Sequence, residues 1–261
     1  RDGVAKDRLV SVHDPEMRHG RKSSGKTYNG HKAHLAVDTA SGVITAVDVT
    51  APSTPDGAKV AELVKETERL TGSVVDKVVA DSAYSSQTAI EQAREVSVEL
   101  ATKMPTPPHG RFGPGDFDVS ADRLTARCPA GHLATKQGTS RDEIVHSWPR
   151  ELCEGCPLRA RCLSPNRDPS KPAKHGRMLR VAPSFHDRRR REKRARTKAG
   201  RALLKRRVVV EQAIARVKQL GGAVARAFGR AKTKDQWLWC AAVANLRRVE
   251  GARRQAEQAA A

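Results

Sequence analysis

The sequence lacks any long hydrophobic stretch. No uninterrupted apolar run approaches the roughly 20 residues that a helix needs to span a bilayer, so we expect no membrane anchor. A recognisable secretory signal is also missing, which makes the cytoplasm the expected compartment. In a reducing cytosol, disulfides are the least expected use of the five cysteines.

Acidic residues are in short supply. The chain carries 29 Asp and Glu against 49 Lys and Arg, which gives a formal net charge of +20. Such an excess is self-repelling and is typical of proteins that have a polyanionic partner. Nucleic acid is therefore the expected partner, although charge alone does not distinguish an enzyme from a structural RNA-binding protein.

One acidic residue stands where a predicted buried strand ends. Residues 74–79 are rich in valine and predict a short strand, and Asp81 stands where this run stops. Open α/β folds place their chemistry at the carboxyl edge of the sheet, so Asp81 is a candidate catalytic residue. The same position suits a residue that caps the following helix, and the sequence leaves both roles open.

A second acid lies within a strongly basic segment. Residues 203–218, LLKRRVVVEQAIARVK, predict an amphipathic helix that contains Glu211. Arg207 lies four residues before Glu211 and Lys218 lies seven after it, so the three side chains project from roughly one face. A solvated ion pair worth about 0.3 to 0.5 kcal/mol is the simplest interpretation. A functional carboxylate held between cations is the alternative.

Taken together, these two segments resemble the DDE transposases of bacterial insertion sequences. In those families the second catalytic Asp follows a short apolar strand and has a Tyr three residues later, as Asp81 and Tyr84 do here. The resemblance covers nearly the whole chain.

The helix carries the second part of the resemblance. In the family the catalytic Glu lies in the signature Tyr-x2-Arg-x3-Glu-x6-Lys. Arg207, Glu211 and Lys218 match it, while Leu204 stands in place of the Tyr.

The resemblance implies a fold and a set of ligands. It implies an RNase H-like mixed sheet flanked by helices, with Asp81 and Glu211 as ligands of Mg²⁺ or Mn²⁺. Arg207 and Lys218 would contact the phosphates of transposon ends. The implied partners are the transposon ends and the target DNA, bound by a homodimer.

The predicted elements follow the order of an RNase H-like core whose first strand is missing. They are strands at residues 28–37 and 42–50, a helix at 57–70, the strand before Asp81, a helix at 87–95 and a strand at 98–104. The family's first catalytic Asp lies on the missing strand. We expect that strand upstream of residue 1, so that the chain is N-terminally truncated. Asp14, after the apolar run at residues 9–12, and Asp38, in a predicted turn, remain alternatives.

An irregular insertion is predicted between the last strand and the Glu-bearing helix. Proline and glycine interrupt any periodicity there. It contains the cysteines that could hold one structural Zn²⁺, namely Cys128, Cys153, Cys156 and Cys162. Reduced thiols without metal and an iron–sulfur cluster are the alternatives. The predicted organisation is therefore a core at residues 1–104, the insertion at 105–198 and C-terminal helices at 199–261.

The last segment, residues 232–256, predicts a helix. Its apolar stripe is expected to pack on the sheet and comprises Trp237, Leu238, Cys240, Val243 and Leu246. Trp237 and Trp239 could instead stack on bases, and core packing is the favoured interpretation.

Two functions follow for the whole chain. The first is a transposase that catalyses metal-dependent DNA strand cleavage and strand transfer at the ends of an insertion sequence. The alternative is a catalytically incomplete transposase remnant that only binds nucleic acid.

Overall fold

The structure is a computed structural model, and it describes residues 8–23, 25–104, 110–163 and 176–260. The chain forms two compact units. The first comprises Arg1–Lys103 and Ala195–Ala261, and the second comprises Met104–Arg194. No helix within the described ranges combines the length and the apolar character needed to cross a membrane.

The chain combines short strands with helices. The strands are β1 (Arg18–Ser23), β2 (Lys26–Gly30), β3 (Lys32–Val37), β4 (Ile44–Thr50), β5 (Lys77–Ala80), β6 (Glu99–Thr102), β7 (Asp118–Val119), β8 (Ala126–Arg127), β9 (Lys136–Ser140), β10 (Glu143–Ser147) and β11 (Met178–Val181). The α-helices are α1 (Val60–Thr71), α2 (Gln87–Glu95), α3 (Arg150–Glu154), α4 (Arg159–Cys162), α5 (Phe185–Arg196), α6 (Lys198–Lys205), α7 (Val208–Val217) and α8 (Arg230–Ala260). The chain is thus a mixed α/β protein.

The strands of the first unit pair two by two. β1 and β2 form one antiparallel hairpin, and β3 and β4 form a second, in which Leu35 faces Val47. β5 and β6 run parallel, with Val78 opposite Leu100, and α2 lies between them in the chain. This parallel pair with a helical crossover is a βαβ unit.

Helices α7 and α8 pack against the hairpin of β3 and β4. Every residue of β4 is buried, and its side chains meet small residues on the helices, which lets the backbones approach closely. The shared core comprises Ile44, Val47, Ala213, Val217, Cys240, Ala241 and Ala244. A second apolar cluster joins α1, α2 and β6 and comprises Val60, Val64, Ala89, Ala93, Val98 and Leu100.

The second unit has a core of its own. β9, β10 and β11 form an antiparallel sheet, and β7 pairs with β8. The buried residues are Phe117, Val119, Ala126, Trp148, Leu179, Val181 and Phe185. In the described part of the predicted insertion, apolar side chains from short strands and helices therefore bury one another. Residues 105–109 and 164–175 of the predicted insertion lie outside the described residues.

Several predicted boundaries differ from the observed ones. The predicted strand at residues 28–37 is divided at His31, because β2 pairs with β1 whereas β3 pairs with β4. β1 was not among the predicted strands. Val74 is 82% exposed and β5 begins only at Lys77. The turn after β3 and the helix at residues 87–95 were predicted correctly.

The predicted helix at residues 203–218 consists of two helices. α6 ends at Lys205 and α7 begins at Val208, and the amides of Arg206 and Arg207 bond three residues back, to Leu203 and Leu204. Such bonds tighten the chain into a turn. The break follows from packing, because α6 contacts β5 and β6 whereas α7 contacts β3.

Candidate active-site groove

A groove with a cavity volume of about 960 Å³ runs through the first unit. Consecutive residues of β3 and β5 line it, at positions 33–38 and 76–81. Successive residues of a strand point to opposite faces of a sheet. A cavity that every one of them touches therefore follows the edges of the strands. Among the described strands, β3 pairs with β4 alone and β5 with β6 alone, so each has an edge available to the groove.

Asp81 lies on the wall of this groove, directly after β5. Its Oδ1 accepts a hydrogen bond of 2.9 Å from the amide of Ala83 and thereby caps the 3₁₀ helix Ser82–Ser85. The residue is exposed. The two roles that the sequence left open are compatible, because the cap fixes one carboxylate oxygen while the side chain stays accessible in the groove.

Glu211 lies on the same groove, on the first turn of α7. Ala213 and Val217 on this helix are fully buried in the core, which turns Glu211 toward solvent. Its side chain is 59% exposed and pairs with the guanidinium of Arg207 at 3.1 Å. The ion pair with the residue four positions earlier is as the sequence predicted.

Three of the four site residues predicted from the strand before Asp81 and from the basic helix line the groove. Asp81, Arg207 and Glu211 all line it. Lys218 is exposed and is not among the lining residues. It begins the π-helical turn Lys218–Gly222, about 10 Å along the helix axis from Glu211 at a rise of about 1.5 Å per residue.

The side chain of Tyr84 is packed against the interior of the first unit. It lies against the apolar cluster of α1, α2 and β6. Burial raises the pKa of its phenol, and the charges of Asp56 and Asp81 add to the rise.

Asp14 and Asp38, the alternatives for the first acid, both form hydrogen bonds within the first unit. Asp14 is 1% exposed and bonds to His31 and to the amides of Glu16 and Gly229. It belongs to no described strand. Hydrogen bonds from the side chain and backbone of Ser41, then from the amide of Ala40, lower the pKa of Asp38 although partial burial opposes this.

Asp56 is a groove residue that the sequence did not reveal. Its carboxylate pairs with Lys32 at 3.1 Å and lines the same cavity as Asp81 and Glu211. It begins the 3₁₀ helix Asp56–Lys59, where no side chain forms a capping hydrogen bond. No local signal could have found it, because its place in the groove depends on tertiary packing.

The carboxylates present suit a hard divalent cation. Asp and Glu oxygens are the donors that Mg²⁺ and Mn²⁺ prefer. Among the described residues no group of three or more His, Cys, Asp or Glu side chains is close enough to hold a metal ion.

The four clustered cysteines meet within the second unit. Cys128, Cys153, Cys156 and Cys162 are free thiols that line one small cavity. Burial raises the pKa of Cys162, the charge of Arg177 opposes this, and the other three cysteines add to it.

The comparison with protein families now gives the class of the chain. Residues 7–246 match the model of the family described as Transposase DDE domain. The chain therefore belongs to this family of transposases, whose members act on DNA and generally use divalent metal ions. No curated protein and no solved structure matches the chain.

Proposed function

We propose that the protein catalyses metal-dependent cleavage of DNA strands, and strand transfer, at the ends of an insertion sequence. Asp81 and Glu211 would be two of the carboxylates that hold Mg²⁺ or Mn²⁺ on an RNase H-like fold. The observation that carries the proposal is that these two acids, far apart in sequence, line one groove. Membership of the transposase DDE family gives the groove its chemistry.

Each residue contributes a distinct physical role. Divalent ions held by carboxylates activate the attacking oxygen and stabilise the leaving oxygen of a phosphodiester. Asp81 presents a carboxylate that is pre-oriented by the amide of Ala83. Arg207 holds the Glu211 carboxylate in position. Its guanidinium also offers donors for a DNA phosphate beside the reacting bond.

A third carboxylate is needed, and the groove has room for the strand that would carry it. Two strand edges open to a cavity leave backbone N–H and C=O groups without ladder partners, an arrangement that native sheets avoid by covering the edge. We propose that a strand encoded upstream of residue 1 fills the groove between β3 and β5 and brings the first acid. Asp14, buried and bonded elsewhere, does not fill this role.

Cations near the groove favour DNA as the substrate. Arg206 and Arg207 line it, and Arg201 and Lys205 are exposed on the neighbouring helix α6. Phosphate contacts of this kind position a duplex without reading its sequence. Because two ends must be brought together for transposition, the proposed active form is a homodimer on DNA.

The test is a nicking assay on supercoiled plasmid that carries the gene with its flanking DNA, with Mg²⁺ or Mn²⁺. It uses the chain as given and the chain extended upstream through its reading frame. We expect the extended chain to nick, and Asp81→Asn or Glu211→Gln to reduce the rate at least about 100-fold, a loss of about 2.7 kcal/mol in transition-state stabilisation. DNA binding, measured by fluorescence anisotropy, should persist in both variants.

Asp76→Asn is the matched control. Asp76 lines the same groove but precedes β5, about 16 Å from Asp81 at about 3.3 Å per residue. We expect it to nick normally. If the extended chain binds DNA but does not nick, the proposal is wrong, and the catalytically incomplete remnant that only binds nucleic acid is the better description. If it nicks equally well without Asp81 and Glu211, the assignment of these two acids is wrong.

A further inference from the structure

Four cysteine side chains surround one small cavity in the second unit. The cavity has a volume of about 20 Å³ and is lined by Cys128, Cys153, Cys156 and Cys162. Apolar side chains, including those of Phe112, Trp148 and Leu152, form the rest of its wall. A cavity needs about 10 to 15 Å³ to accommodate a single water molecule, so this one has the size for one small ion.

Tight turns present the cysteines to the cavity. At the first turn the amide of Cys128 donates to the carbonyl of His132 at 2.9 Å, and Gly131 adopts a φ of +89°. At the second, α3 ends at Glu154 and the amide of Cys156 donates back to the carbonyl of Cys153 at 3.4 Å. Two cysteines separated by two residues across such a turn are typical of structural zinc sites.

The surroundings of the sulfurs favour negative charge. The amide of Arg177 donates to Sγ of Cys153 at 3.4 Å. Arg159 and Arg177 both line the cavity, and the buried Nε of each has no hydrogen-bond partner within the described part of the chain. Buried donors without an acceptor are unfavourable. An anionic group at the cavity would provide the acceptor that both lack.

We infer that Cys128, Cys153, Cys156 and Cys162 bind one structural Zn²⁺ as four thiolates. Four thiolates exceed the charge of one Zn²⁺ by two, which the guanidinium groups of Arg159 and Arg177 balance. Among the described residues, no three potential ligand side chains are close enough to share one metal ion. Zinc binding therefore requires the cysteine side chains to rotate so that their sulfurs point into the cavity. Sulfur ligands favour zinc over hard cations such as the Mg²⁺ or Mn²⁺ proposed for the groove.

The role of the ion would be to hold the second unit together. Cys128 follows β8, Cys153 lies on α3 and Cys162 on α4. Arg177, which immediately precedes β11, is bonded to the carbonyl of Cys162 at 3.1 Å. A zinc ion would therefore link elements that otherwise share only a small apolar core. This inference does not depend on the proposed chemistry of the groove.

The first experiment measures metal in the purified full chain. We expect elemental analysis to find one zinc per chain. After chelation, titration with Co²⁺ should give the visible bands of tetrahedral cobalt–thiolate, saturating at one equivalent and abolished by added Zn²⁺. This titration uses the unaltered chain, so it does not depend on whether a variant folds.

Single variants then test the ligands. Cys128→Ser and Cys156→Ser should each weaken Co²⁺ binding by more than about 100-fold, beyond the loss seen when outer-shell partners are removed. Cys240→Ala is the control, because Cys240 is buried in the core of the first unit, and it should keep one zinc. Chelation should accelerate amide exchange at residues 126–132 and 148–162 and leave α7 and α8 unchanged.

Three results would overturn the inference. The first is an unaltered chain that binds neither zinc nor cobalt. The second is full cobalt binding in both Cys→Ser variants. The third is iron with acid-labile sulfide in place of zinc, which would assign the cysteines to a cluster. None of these results bears on Asp81 and Glu211, so failure here is distinguishable from failure of the nicking assay.

Discussion

The carboxylate of Asp14 accepts a hydrogen bond of 3.1 Å from the amide of Gly229, just before α8 begins. The other contact of the same oxygen is His31, at 2.9 Å. Asp14 thus ties the segment before β1 to two distant parts of the first unit. Its hydrogen bonds to His31, Glu16 and Gly229 give this carboxylate a part in holding the first unit together.

Removing this carboxylate should destabilise the fold without affecting chemistry. Asp14→Ala leaves the amide of Gly229 and the buried imidazole of His31 without their acceptor, and hydrogen bonds to charged groups contribute about 1.5 to 3 kcal/mol. We expect a loss of about 3 kcal/mol in the free energy of unfolding, measured by urea denaturation. Asp14→Asn keeps an acceptor and should lose less of the free energy of unfolding.

The nicking rate of the Asp14→Asn chain, extended upstream, should stay within about twofold of that of the parent. Its abolition at normal stability would make Asp14 catalytic after all.

The same residue predicts how stability depends on pH. Burial by itself would raise the pKa of Asp14, but the hydrogen bonds from His31 and Gly229 outweigh it and lower the pKa. A carboxyl with a lowered pKa stabilises the folded state fully above its ordinary value of about 3.9, and this contribution is lost as pH falls through the lower, folded pKa.

Below about pH 4 the parent should therefore lose stability more steeply than Asp14→Asn. The difference in slope should reach at most about 1.4 kcal/mol per pH unit, the limit for one proton. Urea denaturation at a series of pH values measures it. Parallel curves for the two proteins would contradict the assigned pKa shift.

Two ion-paired acids of the first unit should respond very differently to mutation. Asp48 is buried and bridges Lys59 at 2.9 Å and Lys234 at 3.1 Å, whereas Glu211 is mostly exposed. Asp48→Ala removes a buried acceptor, but its lysine partners are partly exposed and can turn to solvent. We therefore expect a loss of about 1.5 to 3 kcal/mol in chemical denaturation, and for Glu211→Ala less than about 0.5 kcal/mol. A large loss at Glu211 would indicate a structural role for that carboxylate.

Substitutions of Arg207 and Lys218 should have different effects on nicking and DNA binding, although the family signature contains both residues. Arg207 lines the groove and Lys218 does not. We expect Arg207→Ala to slow nicking by the extended chain at least about tenfold, or about 1.4 kcal/mol, and to reduce the salt dependence of DNA binding by about one phosphate contact. Lys218→Ala should have smaller effects on the nicking rate and on the salt dependence of DNA binding. Equal effects would show that DNA reaches beyond the groove to the π-helical turn.

The tryptophans of α8 provide a test of core packing against surface exposure. Trp237 packs on the core of the first unit, whereas Trp239 is 74% exposed. Trp237→Ala should lower the free energy of unfolding by about 2 to 3 kcal/mol, less than for a fully buried Trp. Trp239→Ala should leave it unchanged within about 0.5 kcal/mol. Acrylamide should quench the fluorescence of Trp239 far more than that of Trp237, measured in the two variants.

The prediction that the apolar stripe of α8 packs on the sheet was partly wrong. Helical spacing grouped Leu238, Val243 and Leu246 with the core, yet they are 43%, 38% and 70% exposed. Alanines take their place against β4, because the close approach of helix and strand admits only small side chains. Periodicity finds apolar residues but does not reveal which side of a helix meets a neighbour.

The local chemistry of the chain was contained in its sequence. A strand that ends at an acid, a turn closed by Asp38, the helix at residues 87–95 and the ion pair of Arg207 with Glu211 each depend on neighbours within a few positions, where backbone geometry fixes what can meet.

Only the tertiary structure decided which of these local features share a site. Asp56 enters the groove and Lys218 stays outside it, and Asp14 becomes a buried tie to Gly229. These outcomes depend on how α1, α7 and α8 pack on the hairpin of β3 and β4. Such packing joins residues across long loops of chain, and no short-range pattern encodes it.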